Sequence, residues 1–284
     1  MSPTTSRQWN MIYFTAHNCN TLRSAQQEGN GATQAGYGYE FSPLLIHDMR
    51  TVPPYDFSSF NLDTSGFAIL QDNLVLPQID SDSSIASHYF AHIRALLLRA
   101  FPHYTDILYS GHLRRKRHPG FPSALPSGVE GESHYQQPLT VPHLDYTPTS
   151  GAQRLKQLLN GKEHASAVVD RPFDQLNVWR VIKGPNNDWP LALCDYRSVD
   201  RDSDALRSRS PGHGNSSTEN FFLKNNSAHL WYYVSDQTPD EMIVFRNTCS
   251  EGRTEPWAWH TAFDTGDAQD WCRESIELVL FAIL

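Results

Sequence analysis

The chain has 284 residues, of which 39% are hydrophobic and 12% aromatic, so it is long enough to bury a substantial core. Its formal net charge is −8 and its basic residues form only one local run, which argues against nucleic acid as a partner. Without a secretory signal, a close cysteine pair or a run near the roughly 18 apolar residues of a membrane span, it is expected to be cytoplasmic.

The first 104 residues predict extended segments and one helix. Apolar and aromatic runs predict three short strands, at residues 9–15, 44–50 and 67–70. Apolar side chains then recur at helical spacing over residues 85–101, directly after Ser83 and Ser84, either of which could cap the helix. We therefore expect residues 1–104 to form a helical and extended support for the rest of the chain.

Short strands dominate from residue 105 onward. They are predicted at residues 107–113, 140–147, 176–182, 189–194, 229–235, 242–246, 257–263 and 273–281. A short turn separates the third and fourth of these strands, which we expect to pair as a hairpin, and Ser150 is expected to cap a helix at 152–159. The pattern is mainly β with supporting helices (α+β). It predicts one domain over 1–284, with a double-sheet jelly roll at 105–284.

Three polar segments are predicted to lie outside these elements. Residues 114–117 are four consecutive cations, which are typical of a solvated loop or edge, with pairing to an anionic substrate as the alternative. Residues 118–138 are rich in proline, glycine and serine, and residues 198–220 are charged and serine-rich. Long loops often cover active sites, so we expect both of these segments to act as lids.

A histidine and an aspartate lie two residues apart in the strand predicted at 140–147. Side chains of a strand alternate between its faces, so His143 and Asp145 point to the same side. Two histidines and one carboxylate on one face form the facial triad that binds non-haem Fe(II) and leaves coordination positions open. A His-x-Asp pattern alone could arise by chance among 13 histidines and 31 acidic residues. The interpretation therefore needs a third ligand.

Two histidines downstream compete for the third position. His260 lies in a predicted strand far along the chain, and Arg273 and Ser275 follow it on one face of the last strand. An arginine fork beside a hydroxyl suits a carboxylate, as the far carboxylate of 2-oxoglutarate would require. We favour His260 for this reason, whereas His229 could instead bond a substrate. The structural alternative for Arg273 is a salt bridge to a nearby glutamate.

Aromatic and polar side chains near these strands are candidates for the wall of a substrate pocket. The candidates are Tyr135, Trp179, Arg180, His229, Trp231 and Tyr233. Each of them could equally be a core aromatic, a core histidine or a surface cation, because such residues are common in all three roles.

Three stretches of the chain resemble one known family. They are residues 177–195 (NVWRVIKGPNNDWPLALCD), 229–241 (HLWYYVSDQTPDE), and 260–263 followed by 273–277 (HTAF and RESIE). These stretches are similar to the fungal gibberellin-desaturase and aspergillic-acid-hydroxylase-like family, which is related to the bacterial cephamycin methoxylation protein. The resemblance implies a double-stranded β-helix, a cupin-like jelly roll, with an Fe(II)/2-oxoglutarate-dependent oxygenase site.

The resemblance also implies roles for individual residues. His143, Asp145 and His260 would bind Fe(II), and O2 would be the oxidant. Arg273, with Ser275 beside it, would anchor 2-oxoglutarate. The implied substrate is a lipophilic secondary metabolite that is hydroxylated, desaturated, cyclised or peroxidised in a fungal-type biosynthetic pathway. Homodimers are common among such folds, so a homodimer is a possible assembly of this chain.

One position departs from the family pattern. Val279 stands where similar members carry a second arginine, two residues after Glu277. This departure keeps open an alternative within iron chemistry, a 2-oxoglutarate-independent isomerase of a natural-product intermediate. A second alternative is a zinc hydrolase or a metal-free ligand-binding protein on the same fold.

Overall fold

Two β-sheets lie face to face in the computed structural model. It describes residues 7–14, 39–73, 79, 81–120, 135–162, 165–211, 217–266 and 270–284. The sheets have eight and six strands, and buried apolar side chains of both meet in one cluster. The cluster includes Trp179, Val181, Ile243 and Phe245 from the six-stranded sheet and Leu191 and Leu193 from the eight-stranded sheet. The predicted fold class, a mainly β jelly roll with supporting helices, is confirmed.

The strands among the described residues range from two to eleven residues in length. In chain order they are β1 (Arg7–Phe14), β2 (Tyr39–Asp48), β3 (Phe67–Gln71), β4 (Asp106–Lys116), β5 (Tyr135–Gln136), β6 (His143–Leu144), β7 (Phe173–Val181), β8 (Leu191–Cys194), β9 (Ala205–Pro211), β10 (Ser217–Leu223), β11 (Trp231–Tyr233), β12 (Glu241–Cys249), β13 (His260–Ala262) and β14 (Glu274–Ile283). The eight-stranded sheet has the order β1-β2-β11-β8-β13-β6-β10-β9, and the six-stranded sheet the order β3-β12-β7-β14-β4-β5.

The first 104 residues supply strands as well as support. β1 and β2 extend the eight-stranded sheet, and β3 forms one edge of the six-stranded sheet. The jelly roll therefore draws strands from both parts of the chain that the sequence analysis separated. The organisation of residues 1–284 as one domain stays a prediction.

The described helices are α1 (Phe90–Ala100), α2 (Pro148–Leu159), α3 (Ala165–Val168) and α4 (Arg201–Asp204). A turn at Asp82–Ser84 and a π-helical turn at Ile85–Tyr89 lead into α1, so the predicted helix is confirmed and begins earlier. Its cap is Ser81, whose hydroxyl accepts from the backbone of Ser84. Among the described residues, no helix is both long and apolar enough to cross a membrane.

The apolar stripe of α1 covers the outer face of the six-stranded sheet. Ile93, Leu96 and Leu97 of the helix pack in one cluster with Leu176 and Val178 of β7. Side chains of β7 alternate, so Asn177 and Trp179 face the other way, toward the eight-stranded sheet. The helix therefore closes one face of the sheet and leaves the inner face for the site.

The second predicted helix is also confirmed with a corrected start. Thr147, rather than Ser150, caps α2, and its side chain accepts from the backbone of Ser150. The Ser150 hydroxyl in turn accepts a hydrogen bond from the backbone N–H of Thr147, which completes a capping box. Pro148 occupies the first helical position, where its missing N–H costs nothing.

The predicted hairpin of residues 176–182 and 189–194 is wrong. β7 lies in the six-stranded sheet between β12 and β14, whereas β8 lies in the eight-stranded sheet between β11 and β13. The turn between them therefore crosses from one sheet to the other. β7 is buried along its whole length, and its backbone hydrogen bonds go to β12 on one side and β14 on the other, which leaves no edge for β8.

The predicted loop at 198–220 is also wrong. Its described part contains α4 and β9 and leads into β10, which pairs with β9 as an antiparallel hairpin. The charges that suggested a loop lie on the strands instead: Arg207 and Arg209 both pair with Glu219 across the hairpin. Charged residues are common on edge strands as well as in loops, so the composition of this segment could not distinguish the two. Of the other predicted lid, 118–138, residues 121–134 lie outside the described part of the chain.

Candidate metal centre

Two neighbouring strands bring the predicted metal ligands together. β6 and β13 are antiparallel neighbours, and His143 lies directly opposite His260. Asp145 follows β6 immediately and reaches the same point. One ligand atom from each of the three side chains lies within 4.8 Å of the other two. The fold therefore joins groups that are far apart in sequence.

Backbone carbonyls hold the two imidazoles in one tautomer. Nδ1 of His143 bonds the Val141 carbonyl at 2.8 Å, and Nδ1 of His260 bonds the Ala258 carbonyl at 3.3 Å. A carbonyl oxygen only accepts, so in the neutral rings each Nδ1 carries the proton and each Nε2 keeps its lone pair. Metal-binding histidines are commonly oriented in this way. Both rings therefore offer an unprotonated nitrogen near Asp145.

Two asparagines fix the carboxylate of Asp145. Its Oδ2 accepts from Nδ2 of Asn177 at 2.9 Å and from Nδ2 of Asn247 at 2.8 Å. The Asn247 side chain also accepts from the backbone N–H of Asp145 at 2.9 Å. The other oxygen, Oδ1, lies 3.4 Å from Nε2 of His143. Asp145 therefore presents one oxygen beside the two histidine nitrogens.

Burial and mutual contacts favour the charge states that a cation requires. Burial lowers the pKa of His260 to about 3, and the neighbouring His143 adds to this effect, so His260 is neutral at neutral pH. Burial alone would raise the pKa of Asp145, but the contact with His143 and the proximity of His260 hold it well below its usual range. The centre thus places an ionised carboxylate beside a neutral imidazole.

The donor set fits a divalent first-row metal. In the tautomer above, Nε2 of His143 and Oδ1 of Asp145 are both acceptors and face each other. Two acceptors this close repel unless a cation or proton lies between them. Two imidazoles and one carboxylate beside an open cavity form the facial arrangement that non-haem Fe(II) adopts. The residues present therefore fit the predicted metal, while their binding of it stays a prediction.

The cavity beside these three side chains combines apolar and charged walls. Its apolar lining includes Leu139, Trp179, Leu191 and Ala262. Its charged lining, apart from Asp145, consists of Arg115, Arg273 and Glu277. Both sheets contribute to the lining, so the cavity lies between them.

Buried donors without partners lie on one side of the cavity. Arg273 is 1% exposed, and its guanidinium carbon lies 5.7 Å from the centre of the Trp179 ring. Its Nη1 donates to the Trp189 carbonyl, whereas its Nε and the Ser275 hydroxyl have no hydrogen-bond partner among the described residues. Burial and the charge of Arg115 lower the pKa of Arg273 to about 9, which leaves it charged at neutral pH. Unsatisfied donors around a buried cation suit an anion.

A second arginine faces the same space. Arg115 of β4 is the cross-strand neighbour of Ser275, and its Nη1 donates to the Gln137 carbonyl at 2.7 Å. The preceding residue, Arg114, reaches Asp82 at 3.1 Å instead. The prediction of residues 114–117 as a solvated loop or edge is therefore wrong for Arg115, because this run continues β4 and its side chains alternate.

Glu277 adds a buried acid to the cavity wall. It is 6% exposed, and its Oε1 accepts from Nδ2 of Asn177, the same atom that donates to Asp145. Burial and the charge of Asp145 raise the pKa of Glu277 to about 7. The cavity wall therefore holds two carboxyls joined by one amide, together with two arginines.

The residues predicted to line a substrate pocket divide by strand face. Trp179 lies in the cavity wall. Its neighbour Arg180 points to the opposite face of β7, where Nη1 donates to Asp72 at 2.8 Å. His229 is paired with Asp204, with Nε2 at 2.9 Å from the carboxylate. The structure thus contradicts the prediction for Arg180 and His229, because a buried ion pair with Asp72 occupies Arg180 and a buried hydrogen bond with Asp204 occupies Nε2 of His229.

The remaining three predicted pocket residues also contact other parts of the molecule. Tyr135 lies under Arg114, whose guanidinium carbon is 5.2 Å from the ring centre. Trp231 is fully buried in an apolar cluster of the eight-stranded sheet. Tyr233 packs edge-on against Phe263 at 5.3 Å. The core alternative therefore describes Trp231, whereas Tyr135 and Tyr233 make ring contacts and do not belong to the described lining of the cavity.

Three residues of this centre, Asn177, Asn247 and Glu277, were not predicted from the sequence. The signal that could have indicated Asn177 and Glu277 is the two-residue period of strands. Asn177 lies two residues before the inward-facing Trp179, and Glu277 lies two residues after Ser275. Since inner-face polar residues in a buried strand need a partner, these positions marked a polar site.

Comparisons with known proteins identify relatives of this chain. A family model described as an oxidoreductase/YMDC permease-like domain matches residues 11–283. The Fe(II)/2-oxoglutarate-dependent dioxygenase nvfI of Aspergillus novofumigatus is 29% identical over 240 residues, which cover 82% of this chain and 79% of that protein. The hydroxylase/desaturase efuI of Hormonema carpetanum is 26% identical over 253 residues, or 84% and 82% of the two chains. A gibberellin cluster desaturase of Gibberella fujikuroi is 31% identical over 112 residues, 37% of this chain and 32% of that protein.

A solved structure shares the fold over the whole chain. The iron and alpha-ketoglutarate-dependent endoperoxidase NvfI superposes with a TM-score of 0.78 at 24% identity and covers 98% of each chain. This likeness shows the fold, and the family match agrees with the expectation of an oxidoreductase. The chain belongs to the oxidoreductase/YMDC permease-like domain family, and its relatives confirm the predicted kinship with fungal Fe(II)/2-oxoglutarate-dependent dioxygenases and hydroxylase/desaturases.

Proposed function

We propose that this protein is an Fe(II)/2-oxoglutarate-dependent oxygenase that tailors a lipophilic small molecule in a fungal-type secondary-metabolite pathway. His143, Asp145 and His260 are the iron ligands of this proposal. The observation that carries it is their convergence, with ligand atoms within 4.8 Å of one another, on a cavity that also holds the buried guanidinium of Arg273, whose Nε has no partner among the described residues. In this proposal the three ligand atoms bind the metal, and the guanidinium of Arg273 binds an anion.

The residues around the metal position have defined tasks in this proposal. The Val141 and Ala258 carbonyls keep Nε2 of His143 and His260 unprotonated and aimed at the metal. Asn177 and Asn247 leave Asp145 one oxygen for the metal. Bound iron and 2-oxoglutarate together would supply the activation of O2 that oxidises the substrate.

The two arginines serve the co-substrate in this proposal. Arg273 and the Ser275 hydroxyl bind the distal carboxylate of 2-oxoglutarate, which satisfies their unpaired donors. Arg115 adds positive charge beside Ser275. The apolar wall of Leu139, Leu191 and neighbouring side chains receives the lipophilic substrate and excludes water near the oxidant. Hydroxylation, desaturation, ring closure or peroxidation then depends on how the substrate lies.

Anaerobic titration tests this proposal first. Metal-stripped protein receives Fe(II) and then 2-oxoglutarate, and visible absorption is recorded after each addition. We expect a weak charge-transfer band only when both are present, because the oxo acid chelates an iron that has open positions. Binding of Fe(II) without a band on addition of 2-oxoglutarate would contradict the proposal and favour the 2-oxoglutarate-independent isomerase.

Turnover and metal content separate the remaining alternatives. Succinate formed with substrate oxidation identifies an oxygenase, whereas an isomerase forms none. Selective retention of zinc, or no metal binding, would favour the zinc hydrolase or the metal-free binding protein.

We further infer that the enzyme works in the cytoplasm as a homodimer. Cell fractionation and light scattering of the purified protein test these two points.

A further inference from the structure

One side-chain amide connects the two carboxyls of the cavity. Nδ2 of Asn177 donates to Oδ2 of Asp145 at 2.9 Å and also to Oε1 of Glu277. Oδ1 of Asn177 accepts from Nε2 of Gln175 at 2.7 Å. An amide has two N–H donors, and here each has a carboxylate acceptor while the carbonyl has its own donor. The orientation of Asn177 is therefore specified at both ends.

Burying the carboxyl of Glu277 at this position costs free energy. It is 6% exposed, and its hydrogen-bond partner among the described residues is Asn177 rather than an arginine. Arg115 and Arg273 line the same cavity, but the hydrogen bond that the Glu277 carboxyl makes goes to Asn177, and a buried carboxyl is stable only where its polar atoms are satisfied. Of its two neighbours across the sheet, Leu113 and Trp179, leucine has no side-chain donor that could hold the carboxyl in place. The contact with Asn177 is thus the feature that needs an explanation.

The orientation of Asn177 decides which oxygen of Asp145 remains for a metal. Asn177 and Asn247 together occupy Oδ2, so Oδ1 is left facing His143. If the acceptor at Glu277 were lost, one N–H of Asn177 would be unsatisfied and the amide could rotate. Rotation would release Oδ2 and loosen the direction of Oδ1.

We propose that Glu277 is a positioning residue of the metal centre, which acts through Asn177 to hold Asp145 as a one-oxygen ligand. This inference rests on the proposed function, because it assumes that a metal binds to Asp145. It assigns to Glu277 a role as a hydrogen-bond acceptor. A glutamine can accept the same hydrogen bond, whereas a leucine cannot.

Co(II) titration of metal-stripped protein tests this role apart from turnover. Co(II) resists air, and its visible bands respond to the number and arrangement of ligands. We expect Glu277→Leu to weaken Co(II) binding by about 10- to 100-fold, the usual cost of removing an outer partner of a ligand, and to alter the bands. We expect Glu277→Gln to keep the wild-type bands and an affinity within about threefold.

A matched control separates this effect from loss of a carboxylate on the same strand. Glu274→Leu removes a partly exposed acid whose side chain lies 3.7 Å from Lys116. Glu274 is three residues from Glu277, so it points to the opposite face of β14. We expect its Co(II) affinity and bands to match the wild type. Thermal unfolding of each metal-stripped variant verifies that it is folded at the titration temperature.

A double-mutant cycle tests whether Glu277 acts through Asn177. Asn177→Ala alone should weaken Co(II) binding, and adding Glu277→Leu should weaken it by less than about threefold more, since the connecting amide is already absent. Additive losses, wild-type binding by Glu277→Leu, or equal impairment of Glu277→Gln and Glu277→Leu would each overturn the inference. Failure of the wild-type protein to bind Co(II) would instead overturn the proposed function together with it.

Discussion

Two buried histidine–aspartate pairs in this protein differ in the nitrogen that the protein leaves available. At the candidate metal centre, backbone carbonyls occupy Nδ1 of His143 and His260, so each Nε2 faces Asp145 and the cavity. In the other pair, Nε2 of His229 is 2.9 Å from Asp204. The same residue types thus give ligand atoms that converge beside a cavity in one region and a direct histidine–aspartate hydrogen bond in the other.

The aspartates differ in the same way. Asp145 keeps Oδ1 beside the histidines. Asp204 receives hydrogen bonds from the backbone of Asp200 and from the side chains of Ser203 and Asn226 in addition to His229. Among the described residues, the set of possible metal ligands that converges is that of Asp145. A buried histidine and aspartate therefore indicate a metal centre only when their lone pairs remain directed at one point.

Removing each aspartate should have the largest and most different effects. Asp145→Ala deletes one of three ligands, so we expect the Fe(II) affinity to fall on the order of 1,000-fold and substrate oxidation to be undetectable. Asp204→Ala should leave Fe(II) affinity unchanged and lower the free energy of unfolding by about 1–3 kcal/mol, because His229 loses its buried partner. Metal titration and chemical denaturation measure the two quantities. Equal loss of metal affinity in both variants would remove the distinction between the regions.

Two buried arginines extend this comparison to the co-substrate. Arg273 has an unpaired Nε at the cavity, whereas Arg180 is 0% exposed and bonds Asp72 and the Pro239 carbonyl. We expect Arg273→Gln to weaken 2-oxoglutarate binding about 10- to 100-fold at unchanged Fe(II) affinity, since it loses a charge-assisted contact.

The control variant should fail differently. Arg180→Gln leaves Asp72 buried without its main cation, so we expect a lower free energy of unfolding, by roughly 3 kcal/mol, and wild-type binding of 2-oxoglutarate. Isothermal titration of the Fe(II)-loaded protein, under anaerobic conditions, gives both affinities. Unimpaired co-substrate binding by Arg273→Gln would assign the anion to Arg115 instead.

The fold could be predicted from the sequence where a pattern is local. Strand spacing, the apolar stripe of α1 and the jelly-roll class follow from residue periodicity. Sheet membership does not, because a turn between two buried strands has the same composition whether it closes a hairpin or crosses between sheets. The incorrect hairpin of β7 and β8 has this origin, whereas the incorrect loop before β10 comes from charged residues that lie on the β9–β10 hairpin.

The candidate centre could be predicted only in part. The two-residue spacing of His143 and Asp145, and of Arg273 and Ser275, is enough to predict that each pair points to one side, although Asp145 directly follows β6 and Arg273 directly precedes β14. The choice between His229 and His260 is different, because it depends on which strand lies beside β6. That pairing is a tertiary property, and so is the contact of Asn177 with both Asp145 and Glu277.

The smallest expected effect concerns acid stability of the metal-stripped protein. Burial lowers the pKa of His260 to about 3 from 6.5, and burial also lowers the pKa of His229 although Asp204 opposes it. Below pH 6.5 the unfolded chain therefore binds protons that the folded state does not bind. The free energy of unfolding should fall as the pH falls, and the contribution of His260 between pH 7 and 5 is about 2 kcal/mol.

Comparing variants isolates these contributions. Glu277 acts in the opposite direction, because its raised pKa lets the folded state keep a proton that the unfolded chain releases, so the wild-type slope is a sum. Denaturation of His260→Gln and His229→Gln at pH 7 and 5 should show a smaller acid-side loss than the wild type in both cases. Adding Co(II) at pH 7 should then stabilise His229→Gln and leave His260→Gln nearly unchanged, since metal binding stabilises only a folded state that retains the ligands. Equal stabilisation of both variants by Co(II) would contradict the assignment of His260 as a ligand.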